Sequence, residues 1–116
     1  TTVAGATTLF NATIGEIAST EHGIAFITDL HDECITIAKS EKIKVNDDDL
    51  AQQRRFLSDK KSTWSSSMRR DMVNKSKIEC AHIFLELINI ADKNNVECPS
   101  LKTVMINGEI YMRSLV

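Results

Sequence analysis

The chain has 116 residues, the size of one domain with room for a core. Hydrophobic residues at 42% and charged residues at 26% are ordinary for a globular protein and argue against a disordered chain. A net charge of −2 gives no field for nucleic acid or an anionic membrane, no apolar run approaches the ~20 residues of a membrane span, and no basic-then-apolar leader pattern occurs.

One proline and four glycines leave little material for a β-sandwich, which needs turn signals every ~8–12 residues. Cys34, Cys80 and Cys98 are odd in number and widely spaced, which is neither a disulfide framework nor a zinc pattern. Core packing is the preferred reading for all three over a redox role, and the pattern suits a reducing compartment. Opening on Thr1 in a helical context without methionine, the chain reads as a piece of a longer protein.

Residues 3–18 are small, apolar and poor in charge, which suits a buried helix followed by a short second turn around Ile14 to Ile17. The cover of that segment is expected to include sequence outside this chain. Ser19 or Thr20 can cap the next helix, with Glu21 in its first turn. Ile24, Ile27, Leu30, Cys34, Ile37 and Ala38 then follow the spacing of one apolar face to about Lys42. His31, Asp32 and Glu33 are adjacent and so point in different directions around a helix; a solvated face suits them better than a metal site.

In the run Val45 to Asp49, Asn46 or Asp47 caps a short, mostly exposed helix reaching about Lys60. The acids suit the positive end of its dipole, and the further ligands of a calcium loop are missing. Lys60 to Ser67 is an inter-helix loop, in which Trp64 either anchors a partner or, preferably, folds onto the core. A helix follows from about Ser66 to Asn74 with Met68 and Met72 inward, and Ser76 and Lys77 break or kink it.

Ile78, Ala81, Leu85, Ile88 and Ala91, with Phe84 beside them, mark a strongly apolar helix from about Lys77 to Asn94. His82 follows that pattern and belongs in or at the edge of the core. Asn94 and Asn95 suit its left-handed end. After Cys98 and Pro99, Ser100 caps a last helix whose buried stripe is Leu101, Val104, Met105 and Tyr111; Gly108 either ends it or admits a close partner. The expected fold class is all-α with about six helices, those near 21–42 and 77–94 forming the centre.

No glycine-rich phosphate loop and no nucleophile elbow is present. Two residues stand out in Thr63 to Glu79: Ser67 at a helix start, which is usually only a cap, and Glu79 at the start of the most apolar helix. For Glu79, periodicity alone favours a helix-end acid worth ~0.3–1 kcal/mol over a site carboxylate.

Resemblance to a known family adds to these assignments. Ser66-Ser67-Met68, Asp71-Met72, Lys75 and Ile78-Glu79 resemble, without a gap, a pattern of the ketopantoate reductase (2-dehydropantoate 2-reductase) family: S-S-M-x-x-D-I, a basic stretch, then T-E-I-D. Thr7, Gly15 and Glu16 are similar to its N-P-L-T-A and N-G-E-L segments, and Val96 to Pro99 to its G-V-x-x-P turn. The resemblance covers nearly the whole chain. It implies a helical C-terminal domain, like that of the 6-phosphogluconate dehydrogenase-like reductases, closing over substrate beside an N-terminal Rossmann domain that binds NADPH.

The chemistry implied by the resemblance is hydride transfer to the ketone carbon of a 2-keto acid, with a lysine ammonium supplying the proton. Under the resemblance Ser67 binds substrate, while Glu79 lies near the lysine and nicotinamide and orients or stabilises them. The lysine would fall a few positions before Thr1, so the catalytic group and the Rossmann domain are both outside this chain, which alone is expected to be inactive. A homodimer is a possible assembly. Two substrate-binding asparagines of the family fall on Ala4 and Ile14, which puts ketopantoate itself, and with it a place in pantothenate biosynthesis, in doubt. The rival reading is a non-catalytic helical interaction or dimerisation module, suggested by the charge-poor opening and the Trp64 loop.

Overall fold

In the computed structural model, which describes residues 1–116 apart from the side chain of Ala81, the chain folds into seven α-helices and one π-helical turn. They are α1 (Thr2–Phe10), α2 (Ile14–Ala18), α3 (Gly23–Ser40), α4 (Asp47–Leu57), α5 (Ser67–Val73), the π turn Ala81–Leu85 running into α6 (Glu86–Lys93), and α7 (Pro99–Ser114). Among the described residues there is no strand, and no helix is long and apolar enough to cross a membrane.

Small residues make α1 the centre of the domain. Gly5, Ala6, Thr7 and Thr8 are buried, and Gly5 lets the side chains of Leu30 in α3 and Val104 in α7 close on the helix backbone. Its threonines can be buried because their hydroxyls donate back along the helix, Thr7 to the Val3 carbonyl at 2.6 Å and Thr8 to that of Ala4 at 2.7 Å. The cover of this segment therefore comes largely from α3, α5 and α7 of the same chain. That moves the centre away from the expected pair of helices: α1, α3 and α7 share it. Ile27, Leu30, Ile37, Phe84, Leu101 and Val104 are fully buried around them, each burial worth about 1.5–3 kcal/mol against exposure.

Asn11 ends α1 in the left-handed conformation, φ 47°, which asparagine tolerates. Thr13 and Glu16 then form a reciprocal capping box on α2: the Glu16 N–H donates to Thr13 Oγ1 at 3.1 Å and the Thr13 N–H to Glu16 Oε1 at 3.0 Å. Neither Ser19 nor Thr20 caps α3. Their hydroxyls turn back to the carbonyls of Gly15 and Ile17, and α3 starts at Gly23 after His22 without a side-chain cap. Asn46 does cap α4, accepting from the N–H groups of Asp48 and Asp49 at 2.8 and 3.2 Å.

The apolar helix after α5 departs most from simple periodicity. It opens as a π turn, which widens the spacing between residues that share a face. Phe84 is consequently the fully buried residue, whereas Leu85 is 39% exposed and His82 faces solvent, against the expectation for both. The side chain of Ala81, expected on the same face, lies outside what the structure describes. Downstream, Ile88 and Ala91 are buried as expected, and Asn95 takes the left-handed position at φ 57°.

Ser100 does not cap α7. Glu33 of α3 reaches across instead, its two carboxylate oxygens accepting from the N–H groups of Ser100 at 3.0 Å and Leu101 at 2.9 Å. A carboxylate on two orphan donors at the positive end of a helix dipole ties α7 to α3. Farther along, Gly108 neither ends α7 nor admits an outside partner: the side chain of Cys80 packs where its Cβ would be.

Two consequences are measurable. Glu33→Ala, which strands both donors, should destabilise the fold by about 1–2 kcal/mol in urea unfolding; an unchanged midpoint would contradict the cap. The bonds to the Thr13 backbone N–H and hydroxyl hold the Glu16 carboxyl below its ordinary value of 4.5. Its contribution is thus present above 4.5 and lost as pH falls through the lowered value. The stability advantage of the native chain over Glu16→Gln should therefore shrink on acidification below 4.5, and a pH-independent difference would contradict it.

Candidate functional site

Ser66 and Ser67 divide the work that the sequence assigns to the start of α5. Ser66 is the cap, its Oγ accepting from the Arg69 N–H at 3.0 Å. The same Oγ lies 2.7 Å from Thr7 Oγ1. Thr7 has spent its only proton on the Val3 carbonyl, so Ser66 must be the donor of the pair. A directed chain results: Arg69 N–H to Ser66, Ser66 to Thr7, Thr7 to the carbonyl of Val3. Ser67, the first residue of α5, is thereby held beside α1 with its own side chain exposed.

The loop before α5 is anchored with equal economy. The N–H groups of Ile14 and Gly15, at the start of α2, donate to the carbonyls of Trp64 and Ser62, each at 2.9 Å. A Cβ on Gly15 would fall inside the backbone of Ser62, so this approach requires glycine. Arg69 adds a bond from Nε to Asn11 Oδ1 at 3.2 Å.

Glu79 is positioned by its neighbours. Ile78 and Cys80 are buried on either side of it, which turns the Glu79 side chain outward. The segment is pinned to α7 by the Tyr111 hydroxyl, donating to the Ser76 carbonyl at 2.5 Å, and by the Ile78 N–H, 3.4 Å from Met112 Sδ. Ser67 and Glu79 therefore sit at the starts of two successive helices, both exposed, each on a fixed backbone. Ala4 is half-buried and Ile14 is wholly in the core; neither side chain can hydrogen-bond.

The adjacent acids and histidine of α3 go three ways. Asp32 pairs with Arg54 at 3.1 Å on the surface, and Glu33 caps α7. His31 is not solvated, as expected from its neighbours, but 4% exposed, with Nε2 at 2.8 Å from Gln53 Oε1. Its spacing from Ile27 and Cys34 carried the signal, since residues three and four apart share a helix face. Trp64, too, departs from expectation: rather than joining the core it is 52% exposed, with Phe56 edge-on at a centroid distance of 4.2 Å. Both aromatic rings line a groove of about 470 Å³ that also reaches His31 and Gln53, and that no sequence pattern indicated.

Among the described residues no group of three or more His, Cys, Asp or Glu could hold a metal ion. Cys80 and Cys98 are buried and Cys34 is half-buried. Burial pushes the thiols of Cys34 and Cys98 above the ordinary value of 9.0, which keeps them protonated and poorly nucleophilic. Nor do these residues suit the phosphates of a dinucleotide. A Cβ on Gly15 or Gly23 would collide with backbone, one on Gly108 would press on Cys80, and Gly5 packs against Leu30 and Val104, so no glycine is left for a phosphate-cradling turn.

Comparison with known proteins places this arrangement in context. Residues 1–107 match the family model described as ketopantoate reductase PanE/ApbA C terminal. The chain is 32% identical over 108 residues to the uncharacterized oxidoreductase YkpB of Bacillus subtilis, covering 93% of this chain and 36% of that protein. Among solved structures, a PanE/ApbA family ketopantoate reductase from Ralstonia eutropha superimposes with a TM-score of 0.83 at 19% identity, over 96% of this chain and 37% of the other. A dimeric ketopantoate reductase from Staphylococcus aureus gives 0.84 at 17% identity, over 98% and 40%. D-mandelate dehydrogenase, solved with NADH and anilino(oxo)acetate, gives 0.81 at 19% identity, over 98% and 48%. The chain thus spans less than half the length of each of these proteins, and by the match of residues 1–107 it belongs to the ketopantoate reductase PanE/ApbA C-terminal family.

Proposed function

We propose that this chain is the substrate-side domain of an NADPH-dependent oxidoreductase that reduces a 2-keto acid to the 2-hydroxy acid in the cytoplasm. The family match over residues 1–107 carries the reading. In it, a Rossmann domain N-terminal to this chain binds the dinucleotide, consistent with glycines here that are all committed to packing. The proton-donating lysine belongs to sequence before Thr1. A homodimer is part of the proposal, since one related structure is of a dimeric enzyme.

Ser67 is assigned to a hydrogen bond with the substrate and Glu79 to the lysine and nicotinamide, as an anion that favours and orients the ammonium. Both are exposed on segments that Thr7 and Tyr111 hold in place, which suits contacts made by closure of a second domain. Ketopantoate, the precursor in pantothenate synthesis, is a poor candidate. The positions where the family presents two substrate-binding asparagines carry Ala4 and Ile14, and a site that lacks two amide contacts discriminates against a ligand that needs them.

In the full-length protein, Ser67→Ala and Glu79→Ala should each lower kcat/KM for a 2-keto acid by about tenfold or more, the worth of one hydrogen bond to a charged group. Unchanged values for both would defeat the assignment. Residues 1–116 alone should show no NADPH oxidation, and turnover by them would overturn the division of labour.

A further inference from the structure

The face of α5 that carries Ser67 also carries a cation. Arg70 follows Ser67 by three residues, the spacing at which side chains on a helix are neighbours, with Cβ atoms about 5–6 Å apart. The Arg70 backbone N–H donates to the Ser66 carbonyl at 3.2 Å, so the residue that caps α5 fixes the backbone beneath both side chains. The Arg70 side chain is exposed, with no hydrogen bond or ion pair among the described residues. Arg69 is occupied instead: its Nε and Nη1 donate to Asn11 Oδ1 and Ser65 Oγ, each at 3.2 Å, which commits it to joining the end of α1 to the start of α5.

Charge decides what the Ser67–Arg70 pair can hold. Asp71, four residues after Ser67, is exposed on the same face. A carboxylate held by the Ser67 hydroxyl alone would therefore stand beside a second anion, an unfavourable arrangement unless a cation is nearer. Resting on the reductase reading, in which Glu79 answers the charge of the upstream lysine, we propose that Arg70 binds the carboxylate of the 2-keto acid alongside the Ser67 hydroxyl. Arg70 then selects acids over neutral ketones. A guanidinium suits the task, because its planar fork of N–H donors matches the two carboxylate oxygens and it is charged at any working pH.

Oxamate and oxamide test this in the full-length protein with NADPH bound, since both present the same carbonyl and differ in carrying a carboxylate or a neutral amide. Calorimetric titration of the unaltered protein should show oxamate binding about tenfold more tightly than oxamide. Arg70→Gln should weaken oxamate by about tenfold and leave oxamide unchanged, and Arg70→Lys, which keeps the charge but not the fork, should restore part of the loss. Lys75→Gln removes the same charge from the turn after α5 and should change either affinity by less than about twofold, which separates a direct contact from a general field. Oxamate binding that ignores Arg70→Gln, an equal loss for oxamide, or an equal loss with Lys75→Gln would overturn the proposal and leave the reductase reading standing. No binding of oxamate by the unaltered protein would overturn both.

Discussion

The hydrogen-bond chain from the Arg69 N–H through Ser66 and Thr7 to the Val3 carbonyl is the constraint on which the exposed serine of α5 depends. Each hydroxyl in it donates once and accepts once, so no member can be replaced by an apolar residue without leaving another unsatisfied. It also couples three levels of structure. It caps α5, it satisfies a buried threonine in α1, and it fixes the α5 N-terminus against the buried face of α1. Ser67 inherits its position from these bonds without joining them.

A second set of constraints acts from α7. Glu33 holds its first turn to α3, Gly108 accepts the side chain of Cys80, and Tyr111 clamps the carbonyl of Ser76. The segment carrying Glu79 is therefore fixed at both ends although it is not helical. Between these clamps the π turn Ala81–Leu85 buries Phe84 and leaves Leu85 partly in solvent. The supports of the two candidate residues meet at Tyr111, whose hydroxyl lies 3.4 Å from the Asp71 carbonyl at the end of α5 and 2.5 Å from that of Ser76.

Much of this is legible in the sequence, and the failures have physical causes. The three-and-four spacing of Ile27, Leu30 and Ile37, the cap at Asn46, the break at Pro99 and the left-handed Asn95 depend on neighbours a few residues away, and all are recovered. The cap on α7 is not, because the carboxylate that supplies it comes from Glu33, 67 residues before Ser100. Ser19 and Thr20 are competent caps by type, but the carbonyls at the end of α2 lie nearer to them. His31 is misassigned when its acidic neighbours are weighed over its own place on the apolar face. The π turn defeats any assignment at fixed helical period, which is why Leu85 and His82 are expected inward. For the candidate site, the S-S-M motif draws attention to Ser67, yet Thr7, 59 residues from Ser66, is visible as the partner of that serine only in three dimensions.

If Thr7 acts on the reaction through Ser66 and Ser67, the two ends of that connection must be energetically coupled. A double-mutant cycle in the full-length protein, combining Thr7→Val with Ser67→Ala and read as kcat/KM for a 2-keto acid, measures that coupling most directly. The expected result is that each substitution lowers kcat/KM, while Thr7→Val has little further effect once the Ser67 hydroxyl is gone. Strictly additive losses would mean that Thr7 supports the fold alone, and an unchanged kcat/KM for Thr7→Val would contradict the positioning of Ser67 by the α1 to α5 hydrogen-bond chain.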